Sequence, residues 1–185
     1  KALALAKGKV LDLGCGAGSH GLDLQNEKGL EVYSMDISAK AIEACKLRGL
    51  KHAVCTDVMQ YSEEKFDTIL LLMNGAGMCG RLHKMDGFLT HLKSLLNEGG
   101  QILVDSSDII YMFDEDEDGG RWITSDELYY GELVFTISYK KQQEKPFDWL
   151  YVDYNTLQNV ALAVDLKCEL IEEGDHYDYL ARLIK

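Results

Sequence analysis

A predicted strand that runs directly into closely spaced glycines constrains the fold of this chain more than any other feature. Residues 9–13, Lys-Val-Leu-Asp-Leu, have the composition of a short buried strand. The glycines that follow stand at alternate positions: Gly14, Gly16 and Gly18. A helix is predicted from there to about Lys28, with Gly29 as its C-terminal cap. Because glycines at a strand–helix junction let the backbone approach a ligand at the helix N-terminus, this unit predicts a binding loop.

Alternating strand and helix patterns continue as far as residue 105. Further strands are predicted at residues 30–35, 53–56, 66–73 and 101–105. Between them, a helix over residues 38–48 begins at the N-cap Ser38, and an amphipathic helix from Met85 to Leu96 is stopped by Gly99-Gly100. Such alternation is typical of a mainly parallel sheet with helices on both faces.

The last third of the chain has a different pattern, dominated by strand-forming residues. Segments Leu133–Lys140 and Trp149–Tyr154 predict a β-hairpin inserted after the fifth strand, in an aromatic region of about residues 129–154. Asn155 is the predicted N-cap of a helix over Leu157–Leu166. Two final segments, Lys167–Glu173 and Tyr177–Ile184, predict an antiparallel hairpin. We expect residues 1–185 to form a single domain.

Composition is that of a cytoplasmic protein with a full hydrophobic core. The apolar fraction is 46%, no apolar run reaches transmembrane length, and no signal segment is recognisable. The five cysteines are scattered, which favours reduced thiols over a disulfide framework or a metal site. The first residue is Lys1 rather than Met, so we expect further residues upstream.

Net charge narrows the choice of partner. A charge of −12 repels phosphate backbones, which argues against nucleic acid and favours a small molecule as the substrate. The acidic stretch from Asp114 to Asp118 is interpreted as a solvated surface loop. No membrane partner is expected.

The glycine loop fits two ligand classes. Gly16-Ala-Gly18-Ser-His-Gly21 matches the G-x-G-x-x-G dinucleotide pattern, and Asp36 follows Gly16 by 20 residues, near the spacing of a ribose-binding acid. That pattern alone favours a nicotinamide-dependent oxidoreductase. The overlapping stretch Asp12-Leu-Gly14-Cys-Gly16-Ala-Gly18 adds a carboxylate at the strand end, which would repel a pyrophosphate but suits a cationic ligand.

This second stretch resembles the D/E-x-G-x-G-x-G signature of class I S-adenosylmethionine (SAM)-dependent methyltransferases. The resemblance covers nearly the whole chain and implies a Rossmann-like α/β fold. That fold is a doubly wound, seven-stranded, mainly parallel sheet with a terminal antiparallel strand, here carrying an inserted hairpin. It also implies SAM as the cofactor, whose α-amino group and sulfonium are both cationic, and methyl transfer as the reaction.

The resemblance also implies where SAM lies, residue by residue. Asp36 matches the acid that hydrogen-bonds both ribose hydroxyls, and Ile37 the apolar neighbour that packs on adenine. Asp57 matches the acid that contacts the adenine amino group. Asn74 stands next to the methyl acceptor, and His20 lines the methionine end. The full set implied to bind SAM is Asp12, Gly14, Cys15, Gly16, Gly18, His20, Asp36, Ile37, Asp57, Val58, Asn74 and Gly75.

Catalytic residues are not assigned, because methyl transfer from a sulfonium needs mainly a well-positioned acceptor. Arg81, His83 and the insert are candidate acceptor-side groups. Aromatic side chains of the insert either pack or form a lid: Tyr129, Tyr130, Trp149, Tyr151 and Tyr154. Asn74-Gly-Ala-Gly lacks the proline and aromatic residue of the (D/N)-P-P-(Y/F) motif of amino-group nucleic-acid methyltransferases, which again favours a small-molecule acceptor. A nicotinamide-dependent oxidoreductase and a non-catalytic SAM-binding module stay open as alternatives.

Overall fold

Seven strands form one sheet in a computed structural model that describes residues 1–116, 118, 120, 121 and 128–185. In chain order they are β1 (Val10–Leu13), β2 (Val32–Asp36), β3 (His52–Cys55), β4 (Phe66–Leu71), β5 (Leu96–Ser107), β6 (Lys167–Glu173) and β7 (Asp178–Ile184). Their spatial order is β6-β7-β5-β4-β1-β2-β3. The helices are α1 (Ala2–Leu5), α2 (Ser19–Asn26), α3 (Ala39–Leu47), α4 (Met85–Ser94) and α5 (Tyr154–Ala163).

Strand pairing confirms the predicted mainly parallel sheet with an antiparallel ending. β1 lies between β2 and β4 and runs parallel to both, while β3 and β5 extend the parallel set on either side. β7 runs antiparallel to β5 and to β6. Because parallel strands end at the same edge, the loops after β1, β2, β3 and β4 all lie at the carboxyl edge, where ligands bind in such sheets.

Side-chain alternation along β1 divides the core into two layers. Leu11 and Leu13 face a layer that includes residues of α4 and α5, whereas Val10 faces a layer that includes Ala6 and Leu24. Successive strand residues point to opposite faces, so Asp12 points to the same side as Val10, towards α2. The central strand is buried on both faces, which explains its continuous apolar character.

Helix boundaries agree with the sequence prediction at the start of α3 and differ from it at the ends of α2 and α4, since α2 ends at Asn26 with Glu27 rather than Gly29 as its C-cap. Ser38 caps α3 by accepting a hydrogen bond from the Ala41 N–H at 3.3 Å, as predicted. The predicted stop of α4 at Gly99-Gly100 is wrong, because the helix ends at Ser94 and both glycines lie within β5. No helix in the described part of the chain is long and apolar enough to cross a membrane.

The predicted cap of α5 is also wrong. Asp153, not Asn155, accepts the Thr156 N–H at 3.0 Å, so the helix begins at Tyr154 rather than Leu157. The Asp153 side chain also bonds to a distant residue, because the Tyr129 hydroxyl donates to its Oδ2 at 2.6 Å.

The inserted hairpin is confirmed, with shorter strands than predicted. Glu132–Phe135 pairs antiparallel with Phe147–Leu150, and a smaller ladder joins Ser138–Tyr139 to Gln142–Gln143. The predicted second strand through Tyr154 ends at Leu150 instead. In the acidic stretch the described residues are exposed, whereas Glu117 and Gly119 lie outside the described residues.

We predict that Asp153→Ala lowers the free energy of unfolding by about 1–2 kcal/mol, because α5 loses its cap and Tyr129 its acceptor. Asn155→Ala is the matched control and should change stability by less than about 0.5 kcal/mol, since this exposed residue is not the cap. Urea unfolding followed by circular dichroism measures both. Equal losses for the two variants would contradict the assignment of the cap.

Candidate cofactor and acceptor site

The loop between β1 and α2 has a backbone that favours glycine at each alternate position. Gly14, Gly16 and Gly18 have φ angles of 68°, 53° and 76°, in the left-handed region. A Cβ atom on Gly18 would also overlap the Leu50 side chain and lie 2.9 Å from the Cys45 Sγ. Conformation and close packing together explain why the sequence has glycines here.

Asp12 lies beneath this loop rather than at its surface. It is only 2% exposed, and its Oδ2 accepts the Gly21 N–H at 3.1 Å in the first turn of α2. Burial raises the pKa of Asp12 to about 6, and the nearby His20, whose Nδ1 is 3.9 Å from Oδ1, opposes that shift. The carboxylate therefore holds the first turn of α2 directly, and it would act on a ligand at the loop through its electric field.

Asp36 stands at the end of β2, next to the loop. Its Oδ2 accepts the Gly16 N–H at 2.9 Å, and its Oδ1 accepts the Ser38 N–H at 2.8 Å. Each carboxylate oxygen can accept a second hydrogen bond, so two hydroxyls of one ligand could bind here. Ile37 follows with 78% of its surface exposed, as the predicted contact with an adenine ring requires.

Asp57 and Val58 follow β3, and the structure gives them different surroundings. The Asp57 carboxylate accepts the Met59 N–H at 2.9 Å and so starts a short 3₁₀ helix over Val58–Gln60. Val58 is a core residue, 7% exposed, and its carbonyl is 2.7 Å from His91 Nε2. Its side chain therefore faces away from the site, and a contact with a ligand would have to come from its backbone.

Asn74 lies in a strained turn after β4. Met73 and Asn74 both have positive φ, 61° and 58°, which is uncommon for residues other than glycine. Asp105 stabilises the turn by accepting the Asn74 N–H at 2.7 Å. Ser106 donates its hydroxyl to the Asn74 Oδ1 at 2.7 Å, and the Asn74 Nδ2 donates to the Leu150 carbonyl at 3.2 Å. The Asn74 amide thus joins the turn to β5 and to the insert.

Asp105 and Ser106 were missed by the sequence prediction. Both act on a residue more than thirty positions away, which no local pattern reveals. Burial raises the pKa of Asp105, and the hydrogen bonds from the backbone of the turn oppose that shift. The signal available in the sequence was an acid near the end of a strand, as with Asp12 in β1 and Asp36 in β2.

A cleft of about 690 Å³ opens beside this turn, between α1 and the β6–β7 turn. His20, Met73 and Asn74 form its side nearest to the glycine loop. Its described lining includes five carboxylates: Asp105, Glu172, Glu173, Asp175 and Asp178. Lys1, the lining lysine, is paired with Glu172 at 2.9 Å. The cleft is therefore acidic and is positioned to place an acceptor next to the predicted methionine end of SAM.

The insert is fastened over the segment that follows Asn74. Arg81 donates to Glu132 at 3.1 Å and to Asp148 at 2.5 Å, one partner from each strand of the hairpin. The Trp149 ring occupies the space that a side chain at Gly77 would need, because a Cβ atom there would overlap the ring. Of the two residues predicted for the acceptor side, Arg81 therefore binds the insert, whereas His83 is exposed.

Two of the aromatic residues considered for a lid, Tyr129 and Tyr130, form hydrogen bonds within the protein. The Tyr129 hydroxyl donates to Asp153 at 2.6 Å, and the Tyr130 hydroxyl donates to Asp108 at 2.7 Å. Burial raises the pKa of both phenols. Tyr154 belongs to α5 and not to the hairpin, which corrects that part of the prediction.

Comparison with known proteins identifies the class. A family model described as a methyltransferase domain matches residues 5–152. The chain therefore belongs to this methyltransferase family, and it is a SAM-dependent methyltransferase with SAM as its cofactor. The family assignment decides between the two interpretations of the glycine loop in favour of SAM over a nicotinamide dinucleotide.

Particular relatives differ in how much they share with this chain. A SAM-dependent methyltransferase from Bacteroides fragilis, solved in complex with S-adenosyl-L-homocysteine, is 50% identical with a TM-score of 0.89, covering 98% of this chain and 74% of that one. A methyltransferase from Clostridium acetobutylicum shares the fold at 13% identity, with a TM-score of 0.67 over 98% of this chain and 85% of that one.

A curated relative is the ribosomal RNA small subunit methyltransferase C of Actinobacillus pleuropneumoniae serotype 5b (strain L20). It is 33% identical over 107 residues, and the match covers 53% of this chain. The matched part spans about a third of that relative's length, 32%.

We predict that affinity for S-adenosylhomocysteine rises with pH through about 6 because of Asp12. The cationic α-amino group of the ligand favours the ionised carboxylate, so below the raised pKa of Asp12 binding must expel a proton. Calorimetry should show binding about threefold to tenfold weaker near pH 5 than near pH 7.5. Asp12→Asn should remove this component, and identical pH profiles for the two proteins would rule the coupling out.

We predict that Asp36→Ala weakens binding of S-adenosylhomocysteine by at least about tenfold, since a carboxylate that accepts hydrogen bonds from two hydroxyls is lost. Asp23→Ala, on the exposed face of α2, is the matched control and should bind normally. Circular dichroism checks that both variants are folded. Unchanged affinity in folded Asp36→Ala would place the ribose elsewhere.

Proposed function

We propose that residues 1–185 form one methyltransferase domain that transfers the methyl group of SAM to a small-molecule acceptor in the acidic cleft. The observation that carries the proposal is the position of this cleft, with His20 and Asn74 on the side nearest to the glycine loop. SAM use follows from the family, whereas the acceptor is inferred from the chemistry of the lining.

The residues of the site mainly position SAM and the acceptor, because the methyl group of SAM is already reactive. SAM provides an activated methyl group, which is displaced in line by a lone pair of the acceptor. The glycine loop, Asp36 and Asp57 would hold the nucleoside part, and His20 and Asn74 would border the methionine end. Since Asn74 is tied to Ser106 and Leu150, its role is to set the shape of the cleft floor. No general base is assigned, because a base is needed only where the atom that receives the methyl group must lose a proton.

Electrostatics favours a small, non-phosphorylated acceptor over RNA. The five carboxylates of the cleft would face the acceptor, and like charges repel a phosphate backbone. The net charge of −12 adds to this repulsion, and Asn74-Gly-Ala-Gly departs from the motif of amino-group nucleic-acid methyltransferases. The ribosomal RNA methyltransferase similarity makes RNA the second candidate.

The insert is attached beside the acceptor cleft, and the described lining of the cleft includes no residue of the insert. The strand over Phe147–Leu150 ends at Leu150, whose carbonyl accepts from the Asn74 Nδ2 at 3.2 Å. The Trp149 ring packs against Gly77, so the contacts of this residue favour packing over a lid.

The acceptor class is tested with SAM carrying a labelled methyl group. The purified chain is incubated with a metabolite fraction of bacterial extract below about 1 kDa, a size that corresponds to drug-sized and smaller ligands. A parallel reaction contains ribosomal RNA and small ribosomal subunits. We expect label in the small-molecule fraction and none in RNA, with Asp36→Ala inactive in both. Label transferred to RNA alone would overturn the proposal and establish the second candidate.

A further inference from the structure

Two thiols meet beneath the cofactor loop. The Sγ atoms of Cys15 and Cys45 lie 3.8 Å apart, although the residues are 30 positions apart in the chain. Cys15 is half-buried within the glycine loop, and Cys45 is fully buried in α3. We propose that Cys15 and Cys45 are a redox site that forms a reversible disulfide with a low-molecular-weight disulfide as oxidant, and that this disulfide weakens SAM binding. The inference rests on the proposed placement of SAM at the glycine loop.

The pair differs from the other cysteines of the chain. All five cysteines are free and lie in the described residues, and Cys15 and Cys45 are the two whose sulfur atoms are in contact. Cys55 is exposed and its thiol points to the Ile37 carbonyl at 3.6 Å. Cys55 therefore serves as the internal control: its thiol is more accessible than those of Cys15 and Cys45, but its neighbour is a carbonyl and not a second thiol.

The geometry of the loop makes a disulfide here consequential. Bond formation brings the sulfur atoms from 3.8 Å to about 2.05 Å, so the loop and α3 must approach each other. The Cys45 thiol now donates to the Gly16 carbonyl at 3.2 Å, and that bond is lost when the thiol hydrogen is removed. Since the Gly16 N–H is bonded to Asp36, a shift of Gly16 also disturbs the predicted ribose acid.

The packing leaves little room for the loop to absorb this movement elsewhere. A Cβ atom at Gly18 would lie 2.9 Å from the Cys45 Sγ, so the loop backbone already rests on that sulfur. A glycine loop adopts φ angles that few other residues reach, and its shape determines how closely the backbone approaches a ligand. The disulfide is therefore expected to alter the cofactor surface rather than the sheet beneath it.

The chemistry balances with glutathione disulfide as the oxidant. The Cys15 thiolate attacks one sulfur of glutathione disulfide and displaces one glutathione thiolate, which takes up the proton lost by Cys15. The Cys45 thiolate then attacks the Cys15 sulfur and displaces the second glutathione thiolate, which takes up the Cys45 proton. Two protein thiols are oxidised, and one glutathione disulfide is reduced to two glutathione molecules. Burial and neighbouring negative charges raise the pKa of Cys15, so the exchange should be slow and faster at alkaline pH.

The experiment equilibrates the full chain in glutathione buffers of increasing oxidised fraction. Peptide mass mapping without reductant identifies the linked cysteines, and calorimetry measures the affinity for S-adenosylhomocysteine before oxidation, after it, and after treatment with dithiothreitol. We expect a Cys15–Cys45 linkage, an affinity at least about tenfold weaker, and full recovery on reduction. Cys55→Ser should behave as the wild type, whereas Cys45→Ser should stop at the mixed disulfide of Cys15 with glutathione and form no internal linkage.

Distinct results would overturn the inference and the proposed placement. Glutathione attached to Cys55 with Cys15 and Cys45 still free at every buffer ratio would overturn the redox site. A Cys15–Cys45 linkage with unchanged affinity would overturn its effect on SAM. The affinity of reduced Asp36→Ala tests the placement of SAM at the glycine loop separately. A normal affinity in that variant would overturn both the placement and the predicted effect of the disulfide through Gly16.

Discussion

The hydrogen bond from the Gly16 N–H to the Asp36 carboxylate is the contact on which the cofactor side of this protein depends. It joins the loop after β1 to the end of β2, two strands that run parallel and finish at the same edge. The same carboxylate receives the Ser38 N–H and so connects the loop to the start of α3. One acidic side chain therefore sets the relative position of a glycine loop, a strand end and a helix N-terminus.

The architecture was predictable because it depends on local patterns. Short apolar strands, glycines at their ends and an amphipathic α4 are each visible within a few residues, and together they imply a parallel sheet. The closing pair Lys167–Glu173 and Asp178–Ile184 was recognisable for the same reason. Helix caps were less predictable: Asp153 and Asn155 are equally suitable locally, and a distant hydrogen bond from Tyr129 accompanies the cap that forms.

The residues predicted to bind SAM carry a clearer sequence signal than the residues of the proposed acceptor side. Asp12, Asp36 and Asp57 each lie in or just after a strand, so a one-dimensional motif locates them. Asp105 and Ser106 contact Asn74 at the proposed acceptor side, and no motif records such contacts. Val58 shows that a motif can also include a residue whose side chain does not face the site. Its position beside Asp57 in the sequence does not reveal that its side chain is buried in the core.

The insert is attached at its base and free at its tip. Arg81 bridges its two strands, and Asn74 holds the end of the second strand, whereas Tyr139 at the outer ladder is 67% exposed. Residues 138–143 lie beyond both of these attachment points along the hairpin. Because neither anchor includes residues 138–143, this tip should tolerate an insertion or an appended peptide, with Arg81, Glu132 and Asp148 retained, without loss of SAM binding.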